Sequence, residues 1–357
     1  MPVPERADHE AVAIYAVTQA GARLGRVLAR ELGGELFVSE RFAAEFGAAS
    51  FPRLVPFVAQ TYSRYARHVF ITAAGIAVRA VAPLLRGKDR DPAVVAVDQR
   101  GRYAVSLVSG HLGGANDLAR AVAAVTAGQA VVTTATDTED LPSLDTMAQE
   151  RGLGIANLAA VKDANIALLS GEVLQVFDPD DWLGLREPQS PGLPDWTRHF
   201  AFIASLAEWR SGAPGVVVTH SAITPQPGML VLNPPTLAVG VGCRRGVSQQ
   251  DIQEHLRAVF QENGLALGSI LGLGSIVAKN DEEGLLAAAA DFGVGLFFYE
   301  SEELSAVDAP NPSQRVIERM GVPSVCEAAA MLLAGATTLL VQKTKSDRVT
   351  VAVAQVP

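Results

Sequence analysis

Cysteine is nearly absent from this chain of 357 residues: Cys243 and Cys326 are the two it has. Two cysteines without C-x-x-C spacing exclude a zinc ribbon, a thioredoxin-type motif and a disulfide framework, and they fit a reducing, cytoplasmic setting. Histidines number six, none at helical metal-ligand spacing from another, so no protein-bound metal is expected. Positive charge is short as well. Against 38 Asp and Glu stand 29 Lys and Arg, a net charge of −9 that argues against non-specific nucleic-acid binding. An acidic chain that recognises an acidic ligand must therefore gather its cations locally. Long apolar runs are missing; Gly, Pro, Gln and Thr interrupt the longest uncharged stretches, so no membrane span is expected. The segment Met1 to Glu10 holds Glu5, Asp8 and Glu10 and no apolar run before a cleavage site, and no secretory signal is read there. Walker, G-x-S-x-G, H-E-x-x-H and EF-hand patterns are likewise absent.

What remains is an ordinary globular composition, 49% hydrophobic with 32 Gly and 20 Pro, long enough for two or three domains. Short apolar runs (Ala11–Val17, Val69–Ile71, Val94–Val97, Tyr103–Val108, Ala130–Thr133) alternate with helical patterns. One such pattern has Leu24, Val27, Leu28 and Leu32 on a face, another Leu118, Val122 and Val125, and a third runs from Ser143 to Arg151. This alternation predicts an α/β, parallel-sheet unit over residues 1–150. Nine of the 20 prolines fall between Asp178 and Pro235, so residues 151–233 read as a less regular middle region. Val216–Val218 and Leu230–Leu232 remain candidate strands there, while Pro225–Pro235 has the composition of a linker. A separate C-terminal α/β domain is expected over 236–357. It begins with a strand at Leu237–Val241 and a helix capped by Ser248, whose apolar face is Ile252, Leu256, Val259 and Phe260. Further helices are read from Asp281 and Ser324, and strands at Gly295–Phe298, near Thr338–Val341 and at Val349–Val353.

Three stretches bear on chemistry. Ser109-Gly110-His111-Leu112-Gly113-Gly114-Ala115-Asn116-Asp117 lies between a strand and a helix, where a parallel sheet presents ligand sites and glycines admit a ligand to backbone amides. There His111 suits acid–base work, and a tight surface turn is the competing reading. Thr133-Thr134-Ala135-Thr136-Asp137-Thr138, with Asp145 beyond it, puts hydroxyls and a carboxylate at a strand end, either as a polar pocket or as strand formers and caps. Gly240-Val241-Gly242-Cys243-Arg244-Arg245-Gly246 has the wrong glycine spacing for a dinucleotide loop and no convincing ribose-binding acid. Its paired arginines fit carboxylate recognition, with two solvated arginines as the alternative. Lys279 follows an apolar strand. The runs Arg79, Arg86, Lys88, Arg90 and Lys343, Lys345 read as solvated surface, and both cysteines as packing residues.

The run Thr72-Ala73-Ala74-Gly75-Ile76-Ala77-Val78-Arg79 with Ala82-Pro83-Leu84-Leu85 resembles the first signature of the CbiG family of cobalt-precorrin-5A hydrolases. The resemblance continues through Lys88-Asp89-Arg90-Asp91-Pro92 into the His111 motif, Thr133–Asp137 and Ser143-Leu144-Asp145. From Gly240 to Ala354 the chain resembles the domain shared by CbiG and CobE proteins, including Lys279–Leu286 and Pro323-Ser324-Val325-Cys326-Glu327-Ala328-Ala329-Ala330. Where the family often has Ser-Ile-Asp before its lysine, Ser275-Ile276-Val277 lacks the carboxylate. What the resemblance implies is opening of the δ-lactone of cobalt-precorrin-5A and release of acetaldehyde, giving cobalt-precorrin-5B. The substrate carries its own cobalt, so no further cofactor is implied. On this reading His111, Asp137 and Asp145 are the candidate catalytic groups. The candidate substrate contacts are Gly75, Arg79, Ser109, Gly110, Gly113, Gly114, Asn116, Thr134, Thr136, Gly242, Cys243, Arg244, Arg245, Lys279, Ser324 and Glu327. Transient contact with other cobalamin-pathway enzymes is the partner expectation. Two rivals stand beside it: a non-catalytic tetrapyrrole carrier of the same pathway, and a nucleotide-dependent oxidoreductase using the Gly240 loop.

Overall fold

The computed structural model describes residues 11–87, 90–186 and 195–357. The readings made on Met1–Glu10, on Lys88 and Asp89, and on the prolines at 188, 191 and 194 lie outside them. The chain forms two compact units, Met1–Thr146 and Met147–Pro357.

The first unit is built on strands β1 (Val12–Ala16), β2 (Glu35–Ser39), β3 (Ala49–Phe51), β4 (Arg67–Ile71), β5 (Ala93–Val97), β6 (Tyr103–Val108) and β7 (Gln129–Val131). They lie in the order β3-β2-β1-β4-β5-β6-β7. Its helices are α1 (Gln19–Leu32), α2 (Ala43–Phe46), α3 (Leu54–Thr61), α4 (Ala74–Val81), α5 (Ala115–Thr126) and α6 (Ala135–Thr138), and the unit boundary falls within α7 (Leu144–Glu150). β1 and β5 are fully buried apolar runs, as strands covered by helices on both faces must be. One face packs aliphatic side chains against α1 and α5, and the other stacks Tyr15, Phe37, Phe70 and His68. Within that aromatic face the Tyr15 hydroxyl lies 2.7 Å from Thr61 Oγ1 and 3.1 Å from His68 Nδ1. α1 meets the sheet through Gly21, Ala22, Gly25 and Leu28, so Val27, expected on the packed face, is 42% exposed.

The sheet is not parallel throughout. β5 and β6 pair antiparallel, Val97 opposite Ala104 and Val94 opposite Val108, while β6 and β7 are parallel to each other. The tight connection at Asp98–Gly101, closed by a 2.8 Å bond from Gly101 N to Asp98 O, is too short for a crossover and makes a hairpin.

The second unit holds two sheets. The first has the order β10-β9-β11-β12-β8, from β8 (Gly154–Ile155), β9 (Leu174–Phe177), β10 (Phe200–Phe202), β11 (Gly215–Val218) and β12 (Met229–Asn233), with helix α8 (Ala159–Leu169). The expected linker at Pro225–Pro235 is corrected and the candidate strand at Leu230–Leu232 is found: the stretch carries β12, buried at every position and paired with both β11 and β8. Its prolines bracket the strand instead of interrupting it, which leaves the ladder amides intact. The second sheet, β15-β14-β13-β17-β16, comprises β13 (Leu237–Cys243), β14 (Ile270–Ile276), β15 (Gly295–Tyr299), β16 (Val341–Lys345) and β17 (Val349–Gln355). β13, β14 and β15 are parallel, and β17 and β16 run against their neighbours. Helices α9 (Gln249–Glu262), α10 (Glu283–Phe292), α11 (Ser301–Ser305), α12 (Gln314–Met320) and α13 (Val325–Ala334) complete it. The Ser248 cap on α9 forms as expected, with Asp251 N donating to Ser248 Oγ at 3.1 Å and Ile252, Leu256, Val259 and Phe260 all buried, and the Asp251 side chain completes a capping box.

Candidate active site

The turn between β6 and α5 is folded back on itself. Ala115 N donates to Ser109 O at 3.0 Å, Asn116 N to Gly110 O at 3.1 Å, and Gly114 N to His111 O at 2.7 Å. A Cβ on Gly113 would fall 2.2 Å from that of Ser109, and one on Gly110 2.8 Å from Asn116 Oδ1. Those two glycines thus close the turn on its own side chains. Ser109 takes φ 59, and its hydroxyl is enclosed without a hydrogen-bond partner.

Held by this turn, His111 Nε2 lies 3.1 Å from Asp137 Oδ2 and 3.1 Å from Thr136 Oγ1, while Nδ1 faces Asp145 Oδ2 at 3.8 Å. Asp137 is fixed in turn. Asn116 Nδ2 donates to Asp137 Oδ2 at 3.0 Å and to Thr134 Oγ1 at 2.7 Å, and Arg120 donates to Asp137 Oδ1. Burial pushes the Asp137 carboxyl up, but the bonds from Arg120 and His111 outweigh it and hold it below the usual carboxylate range. An ionised Asp137 only accepts, so Nε2 carries a hydrogen, and in the neutral form of the ring the lone pair sits on Nδ1. Asp145 is buried and accepts from the Ser143 hydroxyl. Asn116, Thr134 and Thr136, expected as substrate contacts, spend the Asn116 Nδ2 and both hydroxyls on this network. Arg120 was missed; the signal was its position one turn after Asn116 and three residues after Asp117, to which it also bonds at 2.7 Å.

Gly75 and Arg79 do not join this cluster. Because β6 reverses the sheet, the His111 turn sits where β4 and β5 begin, whereas Gly75 follows the end of β4. A strand's length, on the order of 15 Å, separates the two edges. Arg79 is exposed and bonds Gly75 O at 3.2 Å.

A second site lies wholly within the other unit, at the carboxyl ends of β13 and β14, the position where open α/β sheets bind ligands. It is a cavity of about 670 Å³ that includes Gly242, Cys243, Arg244, Arg245, Lys279 and Ser324 among its lining residues. Apolar wall comes from Ile276, Val316, Met320 and Val325, and further cations from Lys343, Lys345 and Arg348. The two lysines, read from sequence as solvated surface, face this cavity. Gly240 serves packing instead. A Cβ there would lie 1.7 Å from Cys326 O, so β13 and α13 are in backbone contact and this glycine is covered by a helix. That removes the approach a pyrophosphate would need. Lys279 is buried and pairs with Glu282 at 3.1 Å, and Glu282 also accepts from Gly246 N at 2.6 Å. Arg245 pairs with Asp281 at 2.6 Å in the open, and Arg244 is exposed. Burial pushes the Cys243 thiol up to about 11, so it lines the cavity as a neutral thiol. Glu327, expected to contact substrate, is fully buried, and its oxygens accept from Asn311 and from Lys343 N.

An imidazole held between carboxylates on one α/β unit, and a cation-lined cavity on another, define a protein equipped for proton transfer and for polyanionic ligands. Three sequence profiles match the chain in order: Cobalamin synthesis G N-terminal over residues 56–137, Cobalamin biosynthesis central region over 142–234, and Cobalamin synthesis G C-terminus over 237–354. A Priestia megaterium protein named cobalt-precorrin-5A hydrolase is 30% identical over 373 residues, covering 100% of this chain and 97% of that protein. One of the same name from Salmonella typhimurium is 30% identical over 344 residues, 91% of this chain and 92% of its own. The Sinorhizobium protein CobE is 33% identical over 138 residues, 38% of this chain and 86% of its own. The chain belongs to the cobalamin synthesis G family. Among the described residues, no helix is long and apolar enough to cross a membrane.

Proposed function

We propose that this chain is a cobalt-precorrin-5A hydrolase acting in the cytoplasm, with cobalt arriving on the substrate and no cofactor of its own. The observation that carries the reading is the placement of His111 Nε2 3.1 Å from Oδ2 of an Asp137 pinned by Asn116 and Arg120, which leaves the lone pair of the neutral ring on Nδ1. Nδ1 is then the atom that takes a proton from water as its oxygen adds to the lactone carbonyl. The imidazolium returns that proton to the ring oxygen as the adduct collapses, and the ring oxygen leaves as an alcohol. Loss of that hydroxyl's proton lets the adjacent carbon–carbon bond break, its electron pair passing to the macrocycle and the two-carbon fragment leaving as acetaldehyde. After each proton transfer the imidazolium faces a carboxylate at both nitrogens, Asp137 at 3.1 Å and Asp145 at 3.8 Å. The cationic cavity supports the same reading, since its arginines and lysines suit the substrate's acetate and propionate arms.

The test is anaerobic incubation with cobalt-precorrin-5A and measurement of acetaldehyde. Release by the wild type, reduced roughly 10²–10⁴-fold in a folded His111→Ala variant, is the expected outcome. Tight binding without acetaldehyde release would make the chain a carrier and end this reading.

A further inference from the structure

Glu327 is a charge the fold had no packing reason to bury. It sits in the first turn of α13 with 0% exposure, a place an apolar side chain would fill at less cost in desolvation. Besides the Ser324 hydroxyl at the start of its own helix, its carboxylate collects N–H donors from two distant segments. Asn311 N donates at 3.1 Å, Asn311 Nδ2 at 2.8 Å and Lys343 N at 3.1 Å. The segments it ties meet again through Lys343, which lines the cavity and whose Nζ donates to Asn311 O.

Lys343 is also where β16 departs from a regular ladder. Val341 pairs with Val353 but Thr344 with Val351, so one extra residue is inserted between them. A bulge of this kind re-aims a side chain and frees an amide from the ladder. Here the freed amide is that of Lys343, and Glu327 takes it.

We infer that Glu327 is the positioning residue for the cavity's cationic wall: by holding the β16 bulge and Asn311 together it directs the Lys343 ammonium at a carboxylate arm of the bound tetrapyrrole. This rests on the proposed function only in that the cavity takes a carboxylate-rich macrocycle. Glutamine at 327 has one acceptor oxygen in place of two and brings donors that face donors, so the bulge loses its anchor while the side-chain volume stays.

A double-mutant cycle tests the inference, with cobalt uroporphyrin, a carboxylate-rich cobalt macrocycle, as the probe and its dissociation constant as the readout. Lys343→Met is expected to weaken binding roughly tenfold, the loss of one charged hydrogen bond. Glu327→Gln should weaken it several-fold, and the double variant should bind no worse than Lys343→Met alone, because both changes remove one interaction. Asn311→Ala, which removes one of the three N–H donors, should follow the same non-additive pattern and serves if Glu327→Gln does not fold. Effects of Glu327→Gln or Asn311→Ala that simply add to that of Lys343→Met would mark a structural carboxylate and overturn the inference, leaving the cavity's role intact. Failure of the wild type to bind the probe, or indifference of binding to Lys345→Gln and Arg348→Gln, would overturn the cavity reading and this inference with it.

Discussion

The His111 cluster and the cationic cavity solve opposite problems. In the first, the polar groups around the imidazole bond one another: Asn116, Thr134 and Arg120 hold Asp137, and Thr136 meets His111 Nε2 beside it. In the second, cations line an open bowl and several lie at its exposed mouth, Arg244, Lys345 and Arg348 among them. A site that moves protons needs a fixed geometry, whereas a site that holds a flexible polyanion needs charge in reach of several arms. The two should therefore respond differently to the same kinds of change.

The sharpest contrast is expected from Asp137→Asn. The amide cannot hold Nε2–H as the carboxylate does, so acetaldehyde release should fall by roughly 10²-fold or more while cobalt uroporphyrin binding is untouched. Loss of binding in parallel with turnover would abolish the division of labour.

Acid should separate the units next. His68 is buried and neutral, its pKa lowered by burial to about 4 from 6.5. The unfolded chain takes a proton on this histidine near pH 6.5 and the fold resists until about pH 4, so stability is complete above 6.5 and falls as pH drops through that window. The loss amounts to about 3 kcal/mol. In the second unit the carboxyls of Glu282 and Glu327 are held below their usual range: burial opposes this, but Lys279 and the Gly246 amide outweigh it for Glu282, and Asn311 and the Lys343 amide for Glu327. Their contribution is present above the ordinary carboxylate value and is lost only at lower pH. Urea unfolding followed by hydrogen exchange should show the first unit weakening first, and His68→Phe should remove one proton from its slope. Equal weakening of both units from pH 6.5 to 4.5 would contradict this.

Gly240→Ala acts on the second unit alone. Its Cβ would meet Cys326 O, forcing β13 and α13 apart at a cost of about 1–3 kcal/mol. Faster exchange in residues 325–334 with an unchanged first unit is the expected record; a silent substitution would show that the helix is free to move. The smallest effect belongs to Arg245→Ala. Its ion pair with Asp281 is more than half exposed on both sides, so the melting temperature should not change. Affinity for cobalt uroporphyrin should drop a few-fold at low salt and converge with wild type at high salt.

Much of this was legible in the sequence where the signal is local. The α9 cap, the buried β1 and β5 runs and the Ser109–Asp117 motif all depend on neighbours a few residues apart. Strand direction was not. An apolar run reads the same in either sense, and only the brevity of Asp98–Gly101 betrayed that β6 turns back, placing Gly75 and Arg79 on the far edge from His111. Counting prolines misread residues 225–235, because their effect depends on whether they fall inside or beside the strand. Lys343 looked like surface because the cavity residues it joins, Gly242 among them, are as much as a hundred residues away, while Lys345 is indeed exposed, at the cavity mouth.

The position of β17 sets a timetable. The His111 network draws on the contiguous stretch from Ser109 to Asp145, which can close as soon as that stretch has left the ribosome. The cavity waits. Its floor pairs Gly242 with Thr350, and β17 is slotted between β13 and β16, so residues 237–243 have an open side until 349–355 are made. During synthesis at roughly 5–20 residues per second, that apolar edge stays unpaired for seconds. Any chain halted before residue 349 would carry the His111 network with the β13 side of the cavity still unpaired.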